Sequence, residues 1–401
     1  SSLAANNIWA IEEYDENRIW VGADGKGLEL FNRKTESFEH FIHDPDNIDS
    51  VPGNRVWTIL QYSPTELWIG TYRNGVSKVD LTTWQFTHYR HNPNDPYTIS
   101  DNRIINLFKD SKGQVWVSTN NGLNVFSPST QNFRRFYHDP ENFNSISENS
   151  ILNVTESKNG DIWIATYDKG INQYTPNTGK FKRYQHESGN SNSIGNDKVM
   201  QVMEDSNGLI WASTYGSGIS VFNPETKRFK HYTEEDGLPN SSIYAVIEDE
   251  NHNMWISSNN GISMLDRATD TFTNYSVSSG VQSTEFNAGA YLKASDGTIF
   301  FGGVNGFNAF KPSEMKPSQT NLDVKLTGFR VFNEEAPIKH KDINKNEENS
   351  FSLPSSIFTA DTVTLSHKES IIGFEFSTLN YVFQSEIMFQ YKLEGFDNQW
   401  I

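Results

Sequence analysis

LIWASTYGSGISVFNPETKRFKHY, residues 209–232, decides the fold of this chain. It reads as a short strand carrying Trp211, a tight turn closed by Gly218, a second strand ending at Phe222, a polar turn, and a third strand over 229–232. Tight hairpin turns favour Gly because they need φ > 0. The same sentence recurs, placing Trp20, Trp68, Trp116, Trp163, Trp211, Trp255 and Phe300 at one equivalent position, spaced by 48, 48, 47, 48, 44 and 45 residues. A period in the forties with several short strands per unit is the signature of a β-propeller of four-stranded blades. Seven units predict a seven-bladed ring over residues 1–310.

Within a unit, strand A is apolar and alternating, as at Ile104–Phe108, and ends in an acidic turn such as KDSKG (109–113) or EDSNG (204–208). Strand B follows with its tryptophan, strand C comes after the glycine, and strand D carries the patterns FEHF, FTHY, FKRY or FKHY. A large ring at one fixed place in every strand B fills the gap between stacked blades, so these tryptophans are read as architecture. Blade 7 shows strands A to C and then KPSEMKPSQT in place of a strand D. Residues 1–6 read as the end of a loop that normally follows a strand D, so a three-stranded last blade beside the first is expected.

After a linker at 311–320 the period stops. LDVKLTGFRVF, SSIFTADTVTLSH, IIGFEFSTLNY and MFQYKLEGF read as strands, with the charged segment 340–350 as a loop. They predict an antiparallel sandwich of immunoglobulin type over 321–401. Such a sandwich needs about 100 residues, so its last strands are expected to be missing.

The composition is that of a folded, β-rich protein: 13% aromatic, 27 Gly and many turn-forming residues among 401. A formal charge of −17 disfavours nucleic acid, heparin-like polyanions and an anionic membrane surface, since those partners need a clustered basic face and the sequence shows no such cluster. The absence of cysteine rules out disulfides and thiolate metal sites and fits an oxidising compartment. No run approaches the roughly 18–20 apolar residues of a membrane span, so any anchor or export signal is expected outside these 401 residues.

The repeats, with (I/L/V)W(I/V)(G/S)T, then NG(I/L), then HDPxNxxSISxN, resemble the two-component regulator propeller repeats of bacterial sensors over residues 7–310. The tail, with IIGFEFSTLNY at 371–381 and YKLEGFDNQWI at 391–401, resembles the triple-tyrosine domain that follows such propellers, with Tyr381 and Tyr391 as matching landmarks. The resemblance implies a periplasmic sensor region of an inner-membrane protein. Its output domain would be a histidine kinase, hybrid kinase or diguanylate cyclase, a second propeller could lie upstream, and glycan fragments are a common stimulus.

Propeller function gathers on the face carrying the B-to-C turns and D-to-A loops. The D-to-A loops after blades 1 to 4 are long and those after blades 5 and 6 shorter, which predicts an off-centre cleft. The B-to-C turns of blades 1, 2, 4 and 5 are one residue longer than the others, and three begin with Tyr72, Tyr167 and Tyr215. A phenol ring suits a sugar face. Arg55, Arg73, Arg103, Asp168, Lys169 and Lys198 lie in or beside the same loops and are candidates to hold hydroxyls or a carboxylate. The competing reading has the tyrosines packing over the neighbouring blade.

His43, His91 and His138 fall on successive blades and read as turn residues, so neither metal nor cofactor is expected. No GxSxG, HExxH or phosphate loop appears, and KDSKGQVW (109–116) misses the sialidase-type Asp box by transposing Ser and Asp. The expectation is a non-catalytic, oligosaccharide-sensing ring that works as a homodimer. A protein-interaction ring and a secreted carbohydrate-active enzyme are the alternatives.

Overall fold

Each of the first six repeats folds into one antiparallel sheet whose strands A to D lie side by side in chain order. In blade 5 they are Val199–Glu204, Ile210–Thr214, Ile219–Asn223 and Arg228–Tyr232. The strands A of blades 1 to 7 are Ile8–Asp15, Val56–Ser63, Ile104–Lys109, Ile151–Glu156, Val199–Glu204, Ile243–Glu248 and Phe286–Lys293. The computed structural model describes residues 2–315, 324–338, 351–360, 362–378 and 390–397, and the chain divides into two compact units, Ser1–Met315 and Lys316–Ile401.

The strand B aromatics make the ring. Trp116 of blade 3 packs on Ile151, Val154, Ile162 and Ile164 of blade 4, and Trp163 of blade 4 on Val199, Val202 and Ile210 of blade 5. At the seam, Phe300 of blade 7 packs on Ile8, Ile11, Ile19 and Val21 of blade 1. All seven aromatics are buried. Burying such rings supplies most of the blade-to-blade adhesion.

The acidic A-to-B turns complete this packing. One carboxylate oxygen of Asp110, Asp205 and Asp249 accepts two backbone N–H groups of its own turn. The other accepts the indole N–H of Trp116, Trp211 or Trp255 at 2.9 Å. Further carboxylates tie neighbours together: Ser111 donates to Glu156 and Ser206 to Glu248, each from its backbone N–H and its hydroxyl.

The ring closes with the same contacts. Ser295 of blade 7 donates to Glu13 of blade 1 as Ser206 does to Glu248, and the Gly306 N–H reaches the Asn6 carbonyl at 2.6 Å. Arg33 of blade 1 pairs with Asp296 of blade 7 at 2.9 Å. Burial works to raise the Asp296 carboxyl, but hydrogen bonds from Arg33 and Thr298 outweigh it and hold it at about 2. Blade 7 has three strands among the described residues, Phe286–Lys293, Ile299–Gly303 and Gly306–Phe310, beside blade 1 as expected. Residues 2–6 do the work of a D-to-A loop end.

Gly218 shows how tightly the B-to-C turns are held. Its φ is 69°, and a Cβ there would stand 2.0 Å from the Tyr232 carbonyl oxygen. Gly160, at φ 83°, has open space around it. Gly218→Ala is therefore expected to destabilise the ring by roughly 1–3 kcal/mol for the backbone strain, with the clash added, and Gly160→Ala by distinctly less. Equal losses in urea denaturation would show that the carbonyl contact is unimportant.

The described part of the second unit is one three-stranded antiparallel sheet: Lys325–Val331 at its centre, flanked by Glu334–Glu335 and Ile372–Ser377. Phe329, Ala336, Leu353 and Ile357 form its small core. In the run SSIFTADTVTLSH, read as a strand, the described residues are irregular instead. The Thr359 N–H turns back to the Ser356 carbonyl, and Ile357, Val363 and Leu365 still reach the core without joining a ladder. No second sheet is present among the described residues. The loop at 340–350, Tyr381 and part of the linker lie outside them.

Candidate functional site

The second residue of strand A carries the site. In each of the first six blades the pairing of strands A and B shifts register there, skipping Trp9, Trp57, Ile105, Leu152, Met200 and Tyr244. A β-bulge re-aims the extra side chain. Trp9, Trp57, Ile105, Leu152 and Met200 line a cavity of about 330 Å³ together with Tyr72, Arg103, Asn106, Asn153 and Tyr167. Blade 7 makes a larger excursion, 287–290, between the pairs Phe286–Gly303 and Tyr291–Phe301, and contributes Ala288 and Gly289 to the wall. A Cβ on Gly289 would stand 2.7 Å from the Trp9 carbonyl oxygen, so the excursion fits against blade 1 only as glycine.

A polar layer of strand A side chains accompanies the cavity. Asn106 and Asn153 accept backbone N–H groups from Val154 and Val202 of the following blades, and Gln201 accepts from Val246. The Tyr291 hydroxyl of blade 7 reaches across the ring to accept from Asn153 of blade 4 at 3.1 Å. This contact between distant blades spans the central channel. A ligand entering on the side of Trp9 and Trp57 would therefore meet an apolar wall with amides beside it.

Aromatic rings and cations are interleaved around that wall. Trp9 stacks on Trp57 with centroids 5.0 Å apart, and Trp57 lies against Tyr72 at 4.3 Å. Arg55, Arg73 and Arg103 place their guanidinium carbons 5.7, 5.1 and 5.1 Å from the Tyr72 centroid. The Lys198 ammonium sits between Tyr167 and Tyr215, at 4.7 and 4.0 Å from their centroids. The arrangement follows from the repeat. Arg55, Arg103 and Lys198 directly precede their strands A, where the chain pairs with the residue after strand B, as the Tyr72 N–H does with the Arg55 carbonyl and the Tyr215 N–H with that of Lys198.

Of the nine residues expected at the site, Tyr72, Arg103 and Tyr167 line the cavity itself. Arg55, Arg73, Lys198 and Tyr215 are joined to it through the ring contacts just given. Tyr167 and Tyr215 are 49% and 41% exposed, whereas Tyr72 is held half-buried by Trp57. Asp168 and Lys169 are exposed on the Tyr167 turn and form no part of the wall. The Asp168 N–H is bound to Glu148, whose carboxyl burial pushes up.

The histidines of the long loops are fixed by the loops themselves. His43, His91, His138 and His186 each hold through Nδ1 the carbonyl eight residues later, at 2.8–2.9 Å. Trp9 and Trp57 were the residues that motif reading overlooked. Their signal was that they fall outside the strand B period.

A family model described as the two component regulator propeller matches residues 98–121, 145–168 and 237–260, each running from the end of a D-to-A loop through strand B of blades 3, 4 and 6. Three of the seven repeats thus match the two-component regulator propeller repeat. Histidine kinase P4 of Formosa agariphila is 28% identical over 160 residues, 40% of this chain and 11% of that protein. The extracellular domain of a putative hybrid two component system from B. thetaiotaomicron matches in fold with a TM-score of 0.73 at 23% identity, covering 100% of this chain and 50% of that one. Virginiamycin B lyase from Staphylococcus aureus shares the fold at a TM-score of 0.57 and 13% identity, over 75% of this chain and 93% of the lyase. The chain thus spans half of the extracellular domain it resembles and matches a small part of the kinase.

Proposed function

We propose that this chain is part of the extracytoplasmic, periplasmic sensing region of a membrane-bound histidine kinase or hybrid two-component sensor, and that its propeller recognises an oligosaccharide at the channel mouth. The observation that carries this reading is the aromatic wall of Trp9, Trp57 and Tyr72 beside the amides of Asn106 and Asn153 in one cavity. Sugar rings offer C–H faces to aromatic surfaces and hydroxyls to amides. A volume of about 330 Å³ lies at the lower end of ordinary ligand pockets, roughly 300–1,000 Å³. The B. thetaiotaomicron and Formosa proteins support the sensor reading by their own descriptions.

We read the ring as non-catalytic. The recurrent acidic residues Asp110, Asp205 and Asp249 are engaged by tryptophans and turn backbone, and a glycosidase would need two free carboxylates facing one bond. Signalling would follow from a ligand-dependent shift between two arrangements of a homodimer, passed on by the triple-tyrosine-type second unit.

Calorimetric titration of this chain with a library of oligosaccharides tests the reading. Substituting Tyr72, Tyr167 and Tyr215 together by alanine is expected to weaken binding by about tenfold or more, at roughly 1 kcal/mol per stacked ring, with little change in melting temperature. A matching collapse in stability would assign the tyrosines to packing. Binding of a protein partner with no sugar bound would favour an interaction ring.

A further inference from the structure

We infer that the ligand is acidic, an oligosaccharide bearing a carboxylate or sulfate on the residue that stacks against Trp57 and Tyr72. This rests on reading the channel mouth as a sugar site. It goes further in naming the charge that the site selects.

The starting observation is a charge distribution that runs against the composition. The chain carries 33 basic and 50 acidic residues, yet three guanidinium groups, from two blades, lie within 6 Å of the centroid of one ring, Tyr72. Arg55 has a carboxylate partner, Asp24 at 3.3 Å. Among the described residues, Arg73, Arg103 and Lys198 form no ion pair, and their side-chain N–H groups donate no hydrogen bond to the protein. Gathering like charges without counter-charge is unfavourable in the free protein. An incoming anion relieves that repulsion while receiving the unused donors.

The chemistry of the donors narrows the anion. A guanidinium is a planar fork matched to two oxygens of a carboxylate or sulfate. Arg103 both walls the cavity and leans on Tyr72, so its fork lies beside the stacking surface. An acidic sugar has the complementary layout, with an apolar ring face and an anionic group at its edge. Lys198, between Tyr167 and Tyr215, repeats the aromatic and cation pairing two blades further round the ring, and Tyr167 lines the same cavity. One occupant touching both Tyr72 and Tyr167 therefore meets a cation at either end, which favours an oligomer with more than one charge. A neutral sugar leaves all of these donors to water.

The test compares three probes on the full 401-residue chain by calorimetry: an oligouronate trimer, the same trimer with its carboxylates reduced to alcohols, and a sulfated disaccharide. The expected result is that the oligouronate or the sulfated sugar binds about tenfold or more tightly than the reduced trimer, the tighter of the two identifying the group. Its affinity should fall as salt is raised from about 20 to about 300 mM. The double substitution Arg73→Gln and Arg103→Gln should remove that preference, bringing the charged probes to the affinity of the reduced trimer, while leaving the melting temperature unchanged. If the reduced trimer binds as well as the charged probes, or if the Arg substitutions weaken both alike, the inference falls and the sugar site stands. If none of these probes and no neutral oligosaccharide binds, the sugar site falls with it.

Discussion

Trp116→Ala is expected to lower the stability of the propeller by about 3–5 kcal/mol, the range for removing a large buried aromatic from a core. The ring is 2% exposed and packs against Ile151, Val154, Ile162, Ile164 and Tyr174, so its loss opens a void between blades 3 and 4 that two sheets cannot close without tilting. A second effect adds to the void. The Asp110 Oδ2 atom loses the indole N–H that satisfies it, and an unpaired buried acceptor costs about 1–3 kcal/mol unless water enters. Trp116→Phe separates the two, since it keeps most of the burial and removes only the hydrogen bond; it should fall well short of the alanine loss. Urea denaturation followed by fluorescence of the remaining tryptophans gives both numbers. A loss below about 1 kcal/mol for Trp116→Ala would mean that the blades are held by their inter-blade hydrogen bonds and not by the aromatic layer.

The same residue shows why so much of the fold was legible. A period of 44–48 residues that places one large aromatic on every strand B specifies the stacking of sheets directly, because each blade needs the same filler at the same depth. The acidic turn six residues ahead of Trp116, Trp211 and Trp255 was readable as a turn. Its second task, accepting the indole N–H, was not, because nothing in the local sequence says which way the free oxygen points. The channel wall was hidden for a related reason. Trp9 and Trp57 sit in strands that alternate normally on paper, and only the bulge after Ile8 and Val56 turns them to the cavity. One extra residue reverses the facing of a strand, and sequence alternation cannot register it. Turn residues such as Tyr72 and Arg103 were visible because loop length varies between otherwise equal repeats. In the second unit, SSIFTADTVTLSH had strand-like composition but a turn closed at Ser356–Thr359, and local propensity overrode alternation.

Glu12→Gln is expected to make the propeller more stable at pH 8 by roughly 1–3 kcal/mol while changing little at pH 4. Glu12 lies in strand A of blade 1, three residues beyond Trp9, and its carboxylate accepts the backbone N–H of Gln61 in blade 2 at 2.9 Å. Burial lifts its carboxyl to about 7; the Gln61 hydrogen bond opposes that rise and the neighbouring Glu13 charge adds to it. The direction of the pH effect follows. Between about 4.5 and 7 the folded chain keeps a proton that the unfolded chain has released, so this group makes stability decline as pH rises through that window, with the full penalty present above 7. Glutamine keeps an acceptor for the Gln61 N–H and carries no charge, so the variant should lose the decline. Parallel stability curves for the two proteins from pH 4 to 8 would contradict the assignment. Because Glu12 belongs to the strand that presents Trp9, and blade 2 presents Trp57, ionising it loads the interface on which that stacked pair depends. Ligand binding at the channel mouth should therefore weaken between pH 6 and 8 in the natural protein, and the weakening should be absent in Glu12→Gln.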